Sequence, residues 1–251
     1  ERTKVFIEGQ RLADEALRSD LEINEVFASE SFANSRRSGE LLGKLEGIGA
    51  PIYVVSDSIF PSITDTKTSQ GIILTARRPA DAAERIEKNL RANAGGIPLV
   101  IVLFEVNNPA NLGAIVRTME AAGAAGVIVT VNSADAFSPK AVRGSMGSIF
   151  RIPVWQNIEM TAVSKWVVEQ ELRITTVDIR RGLNYTEIDW VQPRLLVFGS
   201  EARGLKEFSH DNDADSITIP MKNSVESLNL AVAAGIILFE ACRQIEESRR
   251  S

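Results

Sequence analysis

An α/β protein is predicted, in which a small N-terminal α/β layer domain precedes a parallel sheet covered by helices on both faces. Three observations predict it. After Pro98, short unbroken apolar runs rich in β-branched residues recur at Leu99–Phe104, Val127–Val131, Ile174–Val177 and Leu195–Phe198, with helical segments between them, the pattern of strands buried on both faces. Before Arg78, shorter strand signals alternate with amphipathic stretches. The length of 251 residues is comfortable for two domains of about 100–150 residues each.

In order along the chain, Lys4-Val-Phe-Ile7 is strand-like and stops at Glu8-Gly9. Leu12, Ala13, Ala16 and Leu17 share one face of a helix. Ile23–Ala28 and Pro51–Val55 are predicted as strands, with a helix over Glu40–Glu46 between them, and Gln70–Ala76 as a further strand. The expected boundaries are residues 1–77 for this domain, 78–97 for a linker and 98–251 for the second domain. Arg78-Pro79 opens the linker and Gly95-Gly96-Ile97-Pro98 closes it. Its interior, Ala82–Leu90, is charged and lacks Ser/Gly enrichment, so a short helix is expected there and not a flexible coil. Beyond the four long apolar runs, Ile217–Met221 is a last strand and Leu228–Glu247 a long closing helix.

Hydrophobic residues make up 44% and charged residues 24%, ordinary values for a soluble globular protein. One cysteine, Cys242, excludes an internal disulfide framework, and one histidine, His210, excludes a Cys/His zinc cluster. His210 stands in the polar run Phe208–Ser216, poor ground for a catalytic base held by packing. A net charge of −5 argues against coating nucleic acid by bulk electrostatics, but leaves room for a local basic patch. Leu230–Phe239 is about half a membrane span, and no charged-then-apolar leader is visible. A cytoplasmic protein without a membrane anchor is expected.

Three segments concentrate glycine, asparagine and isolated charges next to predicted strand ends, where open α/β sheets place ligands. The first runs from Asn107 to Arg117. Its helix has Leu112, Ile115, Val116 and Met119 as a core face that excludes Arg117, and Asn111 could simply cap it. In the second, Leu195–Leu205, Gly199 and Gly204 bracket Glu201. The Lys-Ser/Thr of a phosphate loop is missing, and no Gly-x-Gly-x-x-Gly occurs anywhere. A carboxylate in this loop favours a cationic ligand over a triphosphate. In the third, Ile217–Leu230, Ser224 or Ser227 can cap the last helix with Asn229 in its first turn, but that leaves Asn229 unexplained, because asparagine is a poor helix residue and is expected at the cap itself.

Taken together, the segments resemble the motifs of the SpoU (TrmH) family of RNA ribose 2′-O-methyltransferases, within the SPOUT superfamily. Asn111-Leu-Gly-Ala-Ile-Val-Arg117 with Ala122-Gly123 is similar to the first motif. Phe198-Gly-Ser-Glu-Ala-Arg-Gly-Leu205 is similar to the second, and Ile219-Pro-Met-Lys-Asn-Ser-Val-Glu-Ser-Leu-Asn-Leu230 to the third. Phe6-Ile-Glu-Gly9 and Thr66–Ile72 resemble the family's ribosomal-protein-like substrate-binding domain. Ala202 and Asn223 stand where the family usually has glycine, and asparagine is the side chain that best tolerates a left-handed backbone.

The resemblance implies a C-terminal domain with a deep trefoil knot, S-adenosylmethionine as methyl donor, RNA as acceptor, no metal, and a homodimer with the site near the interface. It implies cofactor contacts from Gly199, Ile219 and Leu228, with Met221 and Thr130, in the loop after Val129, nearby. It also implies catalytic roles for Asn111, Arg117, Glu201, Ser227 and Asn229. An arginine is a poor free base, so the expected part of Arg117 is a bidentate grip on the target's phosphate. Asn111 and Asn229 would orient the ribose or Arg117, Ser227 would hydrogen-bond nearby, and Glu201 would fix Arg117 or its own loop. The basic pairs Arg36-Arg37, Arg77-Arg78 and Arg180-Arg181 are candidate phosphate contacts. Large-subunit rRNA is the expected acceptor. The alternatives are a tRNA ribose, a base nitrogen, or a catalytically silent RNA-binding protein of the same fold.

Overall fold

Every residue of Ile97–Phe104 is buried, which a strand tolerates only when both faces of its sheet are covered. In the computed structural model, which describes residues 3–36, 38–80, 82–92, 96–179, 181–199, 214–223 and 225–250, this strand lies inside the larger of two sheets.

The smaller sheet is built from β1 (Lys4–Glu8), β2 (Ile23–Ser29), β3 (Ile52–Val55) and β4 (Ile72–Arg77), in the order β1-β4-β2-β3. β4 runs antiparallel to both neighbours, and β3 runs parallel to β2. Helices α1 (Gln10–Leu17), α2 (Glu30–Ala33) and α3 (Gly39–Gly47) connect the strands. α1 buries Leu12, Ala13 and Ala16, as the spacing requires. α2 is a single turn that sequence periodicity does not reveal; Ser29 caps it by accepting from the Phe32 amide at 3.2 Å.

Helix α4 (Ala83–Ala92) occupies the expected linker. It is seated on the larger sheet, with Ile86 fully buried among Val100, Val102 and Ile128. Glu87 accepts from Trp166 Nε1 at 3.0 Å, and Asn89 donates to the Ala125 carbonyl at 3.0 Å.

The larger sheet contains β5 (Ile97–Phe104), β6 (Ala124–Thr130), β7 (Val154–Ile158), β8 (Arg173–Val177), β9 (Leu183–Asn184), β10 (Arg194–Gly199) and β11 (Asp215–Thr218). Their order is β7-β6-β5-β10-β8-β11-β9, and every pairing is parallel. Helices α5 (Pro109–Ala122), α6 (Pro139–Ser145), α7 (Met160–Glu169) and α8 (Leu230–Arg250) cover it. None of the described helices is long and apolar enough to cross a membrane.

Several details differ from the sequence reading. β7 and β9 are additional strands at the sheet's two edges; an edge strand lacks the double burial that makes an unbroken apolar run. β11 stops at Thr218 and does not reach Met221, because Pro220 offers no amide to a ladder. The closing helix begins at Leu230, two residues later than expected. The expected knot depends on the stretch between β10 and β11, where residues 200–213 lie outside the described residues.

Candidate active site

The chain order reverses between β5 and β10, which lie side by side. Open parallel sheets bind ligands at the carboxyl ends of strands near such a reversal. A cavity of about 140 Å³ lies there, at the ends of the adjacent strands β10, β8 and β11. Phe198 and Gly199 come from the end of β10, Val177, Asp178 and Ile179 from the end of β8, and Ile219 and Met221 from the turn after β11. Ser227, Leu228, Leu230 and Ala233 close it from the start of α8.

Four of the five expected cofactor contacts, Gly199, Ile219, Met221 and Leu228, therefore meet around one space, together with Ser227. Thr130 does not line it. Its hydroxyl is buried between the ends of β5 and β6, where it accepts from the Glu105 amide at 3.2 Å and lies 3.3 Å from the Leu103 carbonyl. β6 is two strands from β10, roughly 10 Å. Val177, Asp178 and Ile179 also line the cavity and belong to none of the three motifs. Their signal is the end of an apolar run, which becomes meaningful only once β8 is known to lie between β10 and β11.

Residues around the cavity fit a partly apolar ligand that carries positive charge. Gly199 is pressed against β5: a Cβ there would approach Phe104 Cβ at 3.0 Å and the Phe104 carbonyl oxygen at 3.2 Å, so this strand end accepts a larger residue only if Phe104 gives way. The rest of the lining is largely aliphatic, and Asp178 supplies a carboxylate whose Oδ1 accepts from the Arg181 amide at 3.0 Å. Among the described residues, no group of three or more His, Cys, Asp or Glu side chains could hold a metal ion. Asn223 has φ of +62°, so asparagine does hold the left-handed turn where the family usually has glycine.

Next to the cavity, the N-termini of α5 and α8 meet. Asn229 is the cap of α8: its Oδ1 accepts from the Ala231 amide at 2.9 Å and the Val232 amide at 3.4 Å. Of the two readings of this segment, the cap is thus Asn229 and not a serine; Ser227 lines the cavity, and Ser224 lies outside the described residues. The cap of α5 is Asn108, which accepts from the Ala110 amide at 3.0 Å ahead of Pro109. Asn111 is thus not a cap, and its Oδ1 accepts from Asn229 Nδ2 at 3.2 Å. This bond turns the Asn111 amide oxygen towards Asn229, and Asn111 Nδ2 has no acceptor among the described residues.

Arg117 lies six residues further along α5, less than two turns and about 9 Å on by helical rise. It is exposed, off the face formed by Leu112, Ile115, Val116 and Met119. Neither Asn111 nor Asn229 touches it, and among the described residues it has no hydrogen-bond or ion-pair partner. Glu201, expected to fix it, lies outside the described residues, as do Arg37, Arg180 and His210. Of the basic pairs, Arg78 is spent on structure. It pairs with Asp135 at 2.5 Å and lies over the Phe137 ring at 4.9 Å.

Residues 98–239 match the model of the SpoU rRNA methylase family, and residues 6–82 match that of an RNA 2′-O ribose methyltransferase substrate-binding domain. The chain belongs to the SpoU (TrmH) family of RNA ribose 2′-O-methyltransferases, within the SPOUT superfamily. An uncharacterised tRNA/rRNA methyltransferase of Mycolicibacterium paratuberculosis is 30% identical over 92% of this chain and 74% of its own length. The 23S rRNA (guanosine(2553)-2′-O)-methyltransferase RlmP of Bacillus subtilis is 29% identical over 95% and 90%. The SpoU methyltransferase AviRb of Streptomyces viridochromogenes, solved in complex with AdoMet, superimposes with a TM-score of 0.83 at 25% identity, over 96% of this chain and 90% of that one. The protein is an S-adenosylmethionine-dependent RNA methyltransferase of the SpoU family.

Proposed function

We propose that this SpoU-family enzyme methylates a ribose 2′-hydroxyl of large-subunit rRNA, binding S-adenosylmethionine in the cavity lined by Gly199, Ile219, Met221 and Leu228. One observation carries the reading. The cavity opens beside the bonded pair Asn111–Asn229, and the helix that begins at this pair carries an arginine with no described partner. Bound there, S-adenosylmethionine supplies an electrophilic methyl on a sulfonium. Because the positive charge disperses during transfer, the protein's tasks are to align the acceptor oxygen and to accept or share its proton. Arg117 grips a phosphate of the target with two parallel N–H donors, which fixes the neighbouring ribose and lets that phosphate share the proton. Asn111 offers its free Nδ2 donor to a sugar or phosphate oxygen, and Asn229 orients Asn111 while holding the start of α8. Ser227 hydrogen-bonds at the cavity wall, and Glu201 steadies Arg117 or the second motif's loop. The rRNA preference is supported by the name of the Bacillus relative.

The working unit in this proposal is a homodimer formed through the C-terminal part. Two observations support it: Val232 and Phe239, two turns apart on α8, are more than half exposed, and Arg117 does not line its own chain's cavity. Light scattering should give twice 27.4 kDa; a monomer at micromolar concentration would remove the composite site.

Mapping 2′-O-methylation across rRNA and tRNA from a deletion strain tests the function. One ribose in large-subunit rRNA should lose its methyl and regain it when the gene is restored. Loss at a tRNA ribose would overturn the rRNA assignment, and loss at a base nitrogen would overturn the ribose assignment.

A further inference from the structure

The seam between the two sheets is crossed by ion pairs at several points. α6 packs against both β1 of the smaller sheet and α5 of the larger unit. Arg143 reaches Asp65 at 2.7 Å. Arg151, just beyond α6, does more. Its Nη1 donates to Glu15 Oε2 on α1 at 2.7 Å, while Nε and Nη2 fork the carboxylate of Glu120 on α5, the Nη2 bond measuring 3.0 Å.

We propose that Arg151 is a positioning residue: its guanidinium ties α1, inside the substrate-binding stretch, to α5, the helix of Arg117, and so sets where bound RNA lies relative to that arginine. The inference rests on the methyltransfer proposed above. Glu120 follows Arg117 by three residues, less than one helical turn. A movement of Glu120 is therefore a movement of Arg117. The fork admits one planar orientation of the guanidinium, which leaves Nη1 aimed at Glu15. The backbone closes the same gap. Gly147 has φ of +94°, and a Cβ there would fall 2.5 Å from Glu15 Cβ, so α1 sits against this turn as closely as a glycine permits.

Partly exposed ion pairs contribute little to stability, and all three side chains here are partly exposed. What the arrangement supplies is a defined distance. Arg151 holds the Glu120 carboxyl below the usual carboxylate range, consistent with a persistent fork. A misplacement of about 1 Å from a remote change can lower a rate roughly 10²-fold, so a modest loosening of this seam should show in the transfer step.

Glu15→Ala removes the crossing leg and leaves the Arg151–Glu120 fork in place. In the full-length protein, with an unmodified large-subunit rRNA transcript and labelled S-adenosylmethionine, its single-turnover rate at saturating RNA should fall about tenfold, with both affinities unchanged within about threefold. Glu15→Asp should recover part of the rate. Arg151→Lys should recover little, because an ammonium cannot fork one carboxylate and reach another. Spin labels at Arg11 and Lys165 give a readout independent of activity. Wild-type protein should show one narrow distance, and Glu15→Ala a broader one. An unchanged rate, or an affinity for RNA that falls in step with it, would overturn the positioning role, as would an unchanged distance distribution. Failure of the proposed activity is visible separately, as wild-type protein that leaves ribose unmethylated; the label distances then decide the inference alone.

Discussion

The larger sheet has two ends, and each is served by an arginine. At the amino end, Arg194 is 2% exposed and fully engaged. It donates to Asp215 at 2.5 Å, to Thr175 Oγ1 at 2.9 Å and to the Asp189 carbonyl at 2.8 Å, and it lies near the Trp190 ring. On α5, the helix that starts from the carboxyl end, Arg117 stands exposed with no partner among the described residues. The first charge is consumed in joining β10, β8 and β11; removing it would leave Asp215 and Thr175 without their donor. The second charge is left over by the fold. A cation that the fold does not need is available to a ligand, and this one lies on the helix that begins beside the cavity.

Substituting each arginine should break this comparison in opposite ways. Arg117→Ala should cost the transfer step about 3–5 kcal/mol, or 10²–10³ or more in rate, with little change in melting temperature. Its S-adenosylmethionine affinity should stay within a few-fold by calorimetry, because the cavity does not include it. Arg117→Lys should recover little, since an ammonium lacks the planar two-donor grip. Near-normal turnover of the alanine variant would remove Arg117 from the mechanism, and lost cofactor binding would make it structural. Arg194→Ala should instead destabilise the protein by about 3 kcal/mol, for a buried pair broken on one side. For a chain of this size that lowers the melting temperature by roughly 6–12 °C. At temperatures where it stays folded, its rate should be close to wild type.

A second, smaller effect sharpens the carboxyl end itself, by separating the cavity from the RNA-facing surface. Ala233 lines the cavity from the first turn of α8. Ala233→Leu keeps a good helix former and pushes three further carbons toward the space. Affinity for S-adenosylmethionine should fall at least about tenfold, or 1.4 kcal/mol, while RNA binding by filter retention is unchanged. Equal loss of both would mean that the cavity is not a separate cofactor site.

The two ends also differ in how far a sequence can reveal them. β5, β6 and β10 are legible because burial on both faces leaves an unbroken apolar run, and β7 is hidden because an edge position mixes Trp155, Gln156 and Asn157 into the strand. Gly199, Ile219, Met221 and Leu228 are legible as parts of motifs. Asp178 is not, since its place depends on which strands become neighbours. Nothing local distinguishes Arg194 or Arg151 from other arginines, because the side chains they hydrogen-bond, Thr175 and Asp215 for one and Glu120 and Glu15 for the other, lie 19 to 136 residues away in the chain. At Asn229 two rules conflict: a serine is a good cap, which favours Ser224 or Ser227, and an asparagine is expected at the cap itself and not inside the helix. The structure obeys the second rule: the helix starts at Leu230, two residues later than expected, with Asn229 as its cap.

Asn229 also carries the smallest expected effect, one that separates two duties of a single amide. Its Oδ1 caps α8 and its Nδ2 holds Asn111. Asn229→Ala loses both, and loss of a cap costs about 1 kcal/mol, a fall of roughly 2–4 °C in melting temperature. Asn229→Ser restores an oxygen that can accept from the first-turn amides, but its hydroxyl is too short to replace the amide that reaches Asn111. Serine should therefore return the melting temperature to within about 1 °C of wild type while leaving methyl transfer as slow as in the alanine variant. If serine restored the rate as well, the link to Asn111 would be irrelevant and Asn229 would be a cap and nothing more. If serine restored neither, the stability would come from the Asn111 bond, and the helix start would be held by the contact between α5 and α8 instead of by its own cap.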